Sequence, residues 1–475
     1  MAKKAAFLGI DLGTTGLRSI LADEKGNIIL THSTGVERSF VNSSDERYSE
    51  QSPAEWEPAL YDVLKKMLSG IGEYELKAVT VDSTSGTILP IDKSCKPLYN
   101  ALLHNDIRAH DEAEYICNNT DLAVKPSFAL SKILWIKNKK PDLFDKTFKF
   151  IHAADYIKGL ISGDFETTDF SNAVKTGYDL VEYRWPVSLG TVLGIPHEKL
   201  PKVVKTGEVV GELKKSIRDD FGIKNRVKIV AGATDSTTSF YSSGARTSGD
   251  WNTTLGTALG IRGIAEEFIK DPDGLLYAHR HPEGYWLPGA ASNTGGEALR
   301  LFFKNDIKEY DKKIVNLPPT EGFVYPLARK SEKFPFLNLD AAGFIKMDVC
   351  DPVYLFKAFL EGASYIERMI YEKIGKIGYR IGARIFSMGG GAYSIPWMNI
   401  RASILKKNIY KAKEVETAFG AAIIASSGVY YTNLTEAIDN MVNIDLIVEP
   451  DDKVSSMYDE IYKKFIFECK SRNLF

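Results

Sequence analysis

Ala5-Ala6-Phe7-Leu8-Gly9-Ile10-Asp11-Leu12-Gly13-Thr14-Thr15-Gly16-Leu17-Arg18-Ser19-Ile20-Leu21-Ala22-Asp23 decides the fold of this chain. Two apolar runs of strand length flank a turn of glycine and hydroxyl residues, and the first run ends in a carboxylate. Such runs, bounded by turn residues, predict a hairpin of buried strands. Lys25-Gly26-Asn27 marks another turn before Ile28-Ile29-Leu30. A carboxylate at a strand end, facing a tight turn with open N–H groups, suits a Mg²⁺-bound polyphosphate. The amides of Gly13-Thr14-Thr15 and the threonine hydroxyls hold phosphate oxygens, and Asp11 holds the metal directly or through water. An ordinary hairpin turn has a similar composition. The stretch is neither a P-loop nor a dinucleotide fingerprint.

Working outward, the same device recurs. Trp251 to Leu255, then Gly256-Thr257, then Ala258 to Gly263 predicts a second strand–turn–strand, the degenerate repeat of one domain plan. Ala78-Val79-Thr80-Val81-Asp82 is a strand that leads into Ser83-Thr84-Ser85-Gly86-Thr87, whose short polar side chains suit a polyol pocket or a plain turn. Val227 to Ala231 is another buried strand and ends in Gly232-Ala233-Thr234-Asp235-Ser236. Asp235 at the head of a helix reads as a general base for a sugar hydroxyl or as a helix cap. Arg384 to Met388 runs into Gly389-Gly390-Gly391-Ala392, where glycines let a base or ribose approach the backbone. Ser52, Pro53 and Glu55 start a helix carrying Leu60, Val63, Leu64 and Met67. Residues 105–185 read as mainly helical, the small-residue helix Ala418 to Ser426 permits close packing, and the last 30 residues read as an amphipathic cap. Small and polar residues at Gly244 to Asp250 suggest a hinge. The charge run Glu361 to Arg384 reads as a solvated helix face, His279-Arg280-His281 as a solvated loop without metal spacing, and Trp286 and Trp397 as packing.

Composition bounds the rest. The chain has 475 residues, 44% apolar and 26% charged, which is ordinary globular composition and room for two or three domains. Sixty Lys+Arg against 62 Asp+Glu leave a net charge of −2, with no basic footprint for nucleic acid and no cationic pull towards a membrane. Cys95, Cys117, Cys350 and Cys469 stand far apart, as reduced thiols in a cytoplasm do. The apolar run at Ala5 to Ile10 is too short for a signal peptide, and no run approaches the ~20 residues of a membrane helix. The expected setting is cytoplasmic, with a small-molecule partner and neither nucleic acid nor membrane. Oligomeric state is not legible.

The joint order of these motifs is more specific than any one of them. D-x-G-T-T-G at Asp11, E-Q-x-P-x-E-W at Glu50, G-x-x-D at Gly232, L-G-T at Leu255 and G-G-G-A at Gly389 together resemble the FGGY family of carbohydrate kinases, over residues 5 to about 440. The resemblance implies an α/β fold of two actin-, hexokinase- and Hsp70-type (ribonuclease H-like) domains flanking an ATP/sugar cleft that closes at the hinge. Residues 1–245 are then an N-terminal sugar-binding domain with a helical insert, and 246–475 a C-terminal nucleotide-binding domain. It implies Asp235 as catalytic base and Asp11 as the Mg²⁺ ligand near the sugar. Gly13, Thr14 and Thr15 form the first phosphate turn, and Gly256 and Thr257 the second. Gly390, Gly391 and Ala392 form the adenosine loop, and Ser85 contacts sugar. ATP and Mg²⁺ are the implied cofactors.

Within the family the chain looks most like the D-ribulose kinases of the xylulose-kinase-like group. The segments that carry this are Val81 to Thr87, Asp169 to Tyr178 and Gly289 to Gly296. The expected activity is phosphorylation of a free pentulose, D-ribulose to D-ribulose 5-phosphate, with D-xylulose or another polyol as the alternative. There are departures. Ser83-Thr84-Ser85 stands where xylulokinases have Gln-Met-His, Tyr393 where Lys is usual, and His104-Asn105-Asp106 where Trp-Asn-Asp is common. From other classes, an Hsp70- or actin-like ATPase lacks a peptide-binding module after residue 440. A catalytically dead sugar-binding regulator conflicts with the presence of both Asp11 and Asp235.

Overall fold

In the computed structural model, residues 3–36, 45–348 and 351–475 are described. Met1, Ala2 and Cys350 lie outside them. The opening run forms β1 (Lys4–Gly13), turns at Thr14-Thr15 and returns as β2 (Gly16–Asp23), with Gly13 paired to Gly16. β3 (Ile28–Gly35) lies antiparallel to β2. β4 (Tyr74–Ser83) runs parallel to β1. β5 (Val209–Glu212) and β6 (Lys228–Val230) complete a sheet of order β5-β6-β4-β1-β2-β3. β1 is apolar almost throughout because both of its faces are covered, the usual state of a strand with a parallel neighbour. Leu8, Ile10 and Leu12 join a core with helix α1 (Trp56–Ser69).

Gly9 points to the other face, towards the helix Thr417–Ser426. A Cβ on Gly9 would stand 1.9 Å from the Ala418 carbonyl oxygen and 2.5 Å from the Ala422 nitrogen. Neither backbone atom can give way. Gly9→Ala therefore lowers the unfolding free energy by about 1–3 kcal/mol or more, read by thermal or urea denaturation. Gly35→Ala, which meets nothing within 4 Å, is the control.

The plan repeats. β7 (Trp251–Leu255) and β8 (Leu259–Gly263) form the second hairpin. β9 (Trp286–Ser292) is antiparallel to β8, while β10 (Arg384–Met388) and β11 (Asn408–Ala412) continue parallel from β7. β12 (Ile444–Val448) then lies antiparallel to β11. Strand for strand this is β3-β2-β1-β4-β6-β5 again, so the repeat read from two Gly-Thr turns extends to six strands.

Some readings are extended and others corrected. Residues 105–185 are mainly helical, as read, and also supply two short strands, Lys149–His152 and Thr167–Asp169. Lys149–His152 pairs with Ile88–Ile91 in a four-stranded sheet with Glu50–Gln51 and Ala101–Leu102. Strands this short carry no period, and their pairing is set by distant residues. Glu361 and Glu367 are buried in the core of the helix Pro352–Ile377 and are not on a solvated face. His281 is also buried, and burial pushes its imidazole down to about 4. The final helix, Asp452–Ser471, contributes Tyr458, Tyr462, Phe465 and Cys469 to a core.

The chain divides into two units. The first holds Met1–Ser242, His279–Glu283 and Glu414–Val442; the second holds Ser243–Ala278, Gly284–Lys413 and Asn443–Phe475. The first unit's longest segment ends at Ser242, and two later segments also belong to it. One of them supplies the helix that covers Gly9. Among the described residues no helix is long and apolar enough to cross a membrane.

Candidate active site

The register of the first sheet brings two carboxyl groups side by side. Asp11 of β1 pairs with Asp82 of the parallel β4 and with Arg18 of the antiparallel β2. Residues in register on neighbouring strands point to the same face. Both acids are buried, so both cannot ionise easily. Asp11 is pushed up to about 6, chiefly by burial and then by the charge of Asp235, while a hydrogen bond with Asp82 opposes the rise. Asp82 is pushed well above the carboxylate range, by burial first and by Asp11 next. Apart from Asp11, no group among the described residues reaches either Asp82 oxygen. Asp82 is thus the proton-holding partner and donates to the Asp11 carboxylate.

Asp235 enters from the helix α2 (Asp235–Ser242). The Thr234 carbonyl accepts the N–H groups of Thr237 and Thr238, so Thr234 holds the cap position and Asp235 opens the first turn. Ser236 N–H donates to the Asp235 carboxylate at 2.6 Å. A buried relay fixes the residue before it. Ser171 Oγ donates to Asp169 at 2.6 Å and accepts Thr234 N–H at 2.7 Å. Beside this lies the turn after β4. Ser85 Oγ and His104 Nδ1 are buried without partners among the described residues. Lys132 Nζ donates to the carbonyls of Gly86 at 3.0 Å and Leu103 at 2.5 Å, and Lys175 Nζ to that of Ser85 at 3.1 Å. The charge of Asp235 acts on Asp11, Asp82, His104 and Lys175 alike.

Sequence reasoning assigned no role to Lys132, Lys175, Asp169 or Ser171. Asp82 was legible, since it ends a parallel strand as Asp11 does. Asp106 and Arg108 face inward. Arg108 pairs with Asp106 and with Glu50, each at 2.6 Å, inside the insert.

The second unit holds a cavity of about 530 Å³ lined by Gly256, Thr257, Arg300, Gly390, Gly391 and Tyr393, among others. Its turns are tied to one another. The N–H groups of Gly296 and Glu297 donate to the carbonyls of Gly256 at 2.9 Å and Thr257 at 3.1 Å, and Arg300 donates to Thr257 Oγ1 at 2.9 Å. Gly389 has φ +77°, and a Cβ there would meet the Leu255 carbonyl at 2.6 Å, so the third turn needs glycine. Ala392 is buried beneath the turn and Tyr393 is exposed in the cavity. Ser394 Oγ donates to Asp311, and Trp397 is packed with its Nε1 on Ser364 Oγ at 3.1 Å. The cavity thus joins two backbone turns, Arg300 and the aromatic ring of Tyr393 in one lining.

Asp11, Thr14, Thr15, Ser85 and Asp235 are thus in the first unit; Gly256, Thr257, Gly390, Gly391 and Ala392 are in the second. Among the described residues no group of three or more His, Cys, Asp or Glu side chains forms a metal cage. Mg²⁺ commonly takes one or two carboxylates with phosphate oxygens and waters, and the carboxylate of Asp11, the member of the pair that ionises more readily, fits that demand.

A pH dependence follows. The Asp11 carboxyl changes charge near its value of about 6, so any activity that needs its carboxylate falls on an acidic limb there in kcat/KM, which reports the free enzyme. Asp82→Ala removes the donor that favours the Asp11 carboxylate and moves the limb to higher pH. Asp82→Asn keeps a donor and moves it less.

With the geometry in place, comparison is informative. Residues 6–241 match the model of the FGGY family of carbohydrate kinases, N-terminal domain, and residues 253–429 match the C-terminal domain. A xylulose kinase of Lactococcus lactis subsp. lactis (strain IL1403) is 26% identical over 456 residues, covering 91% of this chain and 89% of its own. A gluconokinase of Bacillus licheniformis is 26% identical over 462 residues, covering 91% and 89%. The crystal structure of a xyloylose kinase from Brucella ovis superposes with a TM-score of 0.87 at 21% identity, covering 99% of each chain. The fold is therefore the two-domain actin/hexokinase type.

Proposed function

The chain belongs to the FGGY family of carbohydrate kinases and is an ATP-dependent sugar kinase; on that premise we propose that its acceptor is a free pentulose, D-ribulose foremost, phosphorylated at the terminal hydroxyl. The supporting observation is the register that sets Asp11 beside Asp82, together with a Ser85 turn held by Lys175 at 3.1 Å, where Ser85 Oγ is buried without a partner among the described residues, as is His104 Nδ1. Carboxylates accept sugar O–H protons, and the unpartnered Ser85 and His104 atoms serve a hydroxylated ligand.

Asp235 takes the proton of the terminal hydroxyl as that oxygen attacks the γ-phosphorus, and ADP leaves with the bridging oxygen. Asp11 would hold Mg²⁺, which would supply charge neutralisation at the phosphate oxygens. In the first unit the amides of Gly13, Thr14 and Thr15 serve phosphate oxygens; in the second unit those of Gly256 and Thr257 do, and Gly390 and Gly391 admit a nucleoside. The D-ribulose reading is supported by Ser83-Thr84-Ser85. D-Xylulose is the second reading, favoured by the name of the Lactococcus relative.

The test is ADP release with D-ribulose, D-xylulose, glycerol, D-gluconate and no sugar. Pentulose-dependent release, with kcat/KM higher for D-ribulose than D-xylulose, is expected. The reverse order replaces D-ribulose by D-xylulose. Preference for glycerol or gluconate, or ATP turnover indifferent to sugar, removes the pentulose reading.

A further inference from the structure

Two ammonium groups hold the Ser85 turn, and their surroundings differ. Lys132 is fully buried and donates to two backbone carbonyls, so its work is structural. Lys175 is half-buried, and among the described residues its one hydrogen bond goes to the Ser85 carbonyl. An ammonium has three N–H directions, which leaves Lys175 with donors to spare. Its stem is fixed. A Cβ on Gly86 would meet Lys175 Cδ at 3.1 Å, and Nζ lies 5.6 Å from the centroid of the Phe128 ring. The group therefore reaches its place without help from a ligand. Lys175 thus stands at the turn that carries Ser85 Oγ, and the charge of Asp235 acts on both Lys175 and His104.

The chemistry of the acceptor singles out one use for these donors. Ring closure of a free pentulose joins its terminal hydroxyl to the carbonyl carbon and so consumes the nucleophile. The phosphorylated form must be the open chain, with a free carbonyl at C2. Hydroxyls both donate and accept, and the aspartates, Ser85 and His104 can serve them. A carbonyl oxygen only accepts, and no aspartate can bind it while ionised.

We infer that Lys175 is a specificity-determining residue whose ammonium donates to the oxo oxygen of the acceptor, the C2 carbonyl of an open-chain pentulose, and so favours ketoses over the matching pentitols. This assignment rests on the pentulose reading above. It gives the pocket polarity: the proton acceptor Asp235 at the reacting hydroxyl and the proton donor Lys175 at the oxo group.

The test is Lys175→Met, which keeps the length of the stem and removes the donors, with Lys175→Gln as the variant that retains N–H groups. D-Ribulose and D-xylulose are compared with ribitol and xylitol, read as substrates or as competitive inhibitors, and with D-gluconate. Melting temperature verifies folding of each variant. In Lys175→Met, kcat/KM for the pentulose falls about 10- to 100-fold, as for loss of a charged hydrogen bond, pentitol affinity and the KM for ATP hold within about threefold, and Lys175→Gln recovers part of the loss. If the wild type uses a pentulose and the ketose-to-pentitol ratio is unchanged in both folded variants, the Lys175 assignment falls alone. If the wild type uses pentitols and no pentulose, the pentulose reading and the assignment fall together. If the wild type uses gluconate and no pentulose, the pentulose reading and the assignment of Lys175 to a keto oxygen fall together.

Discussion

Asp235→Asn lowers kcat by about 10³-fold, within the ~10²–10⁴ range of general-base catalysis, and leaves acceptor binding within a few-fold. Asparagine has the shape of aspartate and can still meet Ser236 N–H, which now donates to Asp235 at 2.6 Å. It cannot take a proton at neutral pH. The relay from Asp169 through Ser171 to Thr234 is untouched, so the backbone before the helix stays in place. The loss therefore belongs to the chemical step and appears in kcat more than in the acceptor Kd. A second signature separates this from a general disturbance of the site. The Asp235 charge helps to hold Asp11 up at about 6. Asp235→Asn therefore moves the Asp11 limb to lower pH in the residual activity, opposite to the shift expected of Asp82→Ala. Equilibrium binding, single-turnover rate and the pH profile check the three parts. Turnover at the wild-type rate removes Asp235 from its role.

The parts of this molecule that were legible are those in which neighbours in sequence are neighbours in space. The hairpin at Gly13 to Gly16 is local, and its turn residues and strand lengths declare it. The same holds for Leu255 to Leu259. The small helix at Thr417–Ser426 announced close packing by composition, and the Gly9 contact is what that composition serves. What was not legible is pairing across distance. Lys149–His152 looks like nothing in particular until Ile88–Ile91 lies beside it. Lys175 sits in a quoted segment, yet its meaning comes from Ser85, 90 residues earlier. Charge runs mislead for the same reason. In the helix Pro352–Ile377, acidic residues at Glu361 and Glu367 suggest water, and only their partners on other elements show that they are buried.

Glu367→Ala destabilises the second unit by about 3–5 kcal/mol, the cost of stranding one partner of a buried ion pair. Glu367 and Arg401 are fully buried. Arg401 meets the carboxylate through Nε at 2.7 Å and Nη2 at 2.8 Å, and spends Nη1 on Ser387 Oγ at 2.6 Å. Glu367 also accepts Thr253 Oγ1–H at 2.6 Å. Thr253 and Ser387 are paired directly across β7 and β10. The ion pair therefore pins two helices to the two strands that lead into Gly256-Thr257 and Gly389-Gly390-Gly391. Alanine at 367 leaves a guanidinium in the core with a single neutral partner, and strands the hydroxyl of Thr253 with only Tyr371 at 2.8 Å. Chemical denaturation reads the loss. The paired variant Glu367→Leu with Arg401→Met removes both charges at similar volume and recovers most of the stability, since a buried pair is often worth no more than well-packed apolar groups. If the pair serves only stability, the double variant keeps the wild-type KM for ATP. If it also sets the two turns, the KM rises although the fold is restored. A single variant as stable as the wild type would mean that water or a neighbouring group satisfies Arg401, and the clamp would have no energetic content.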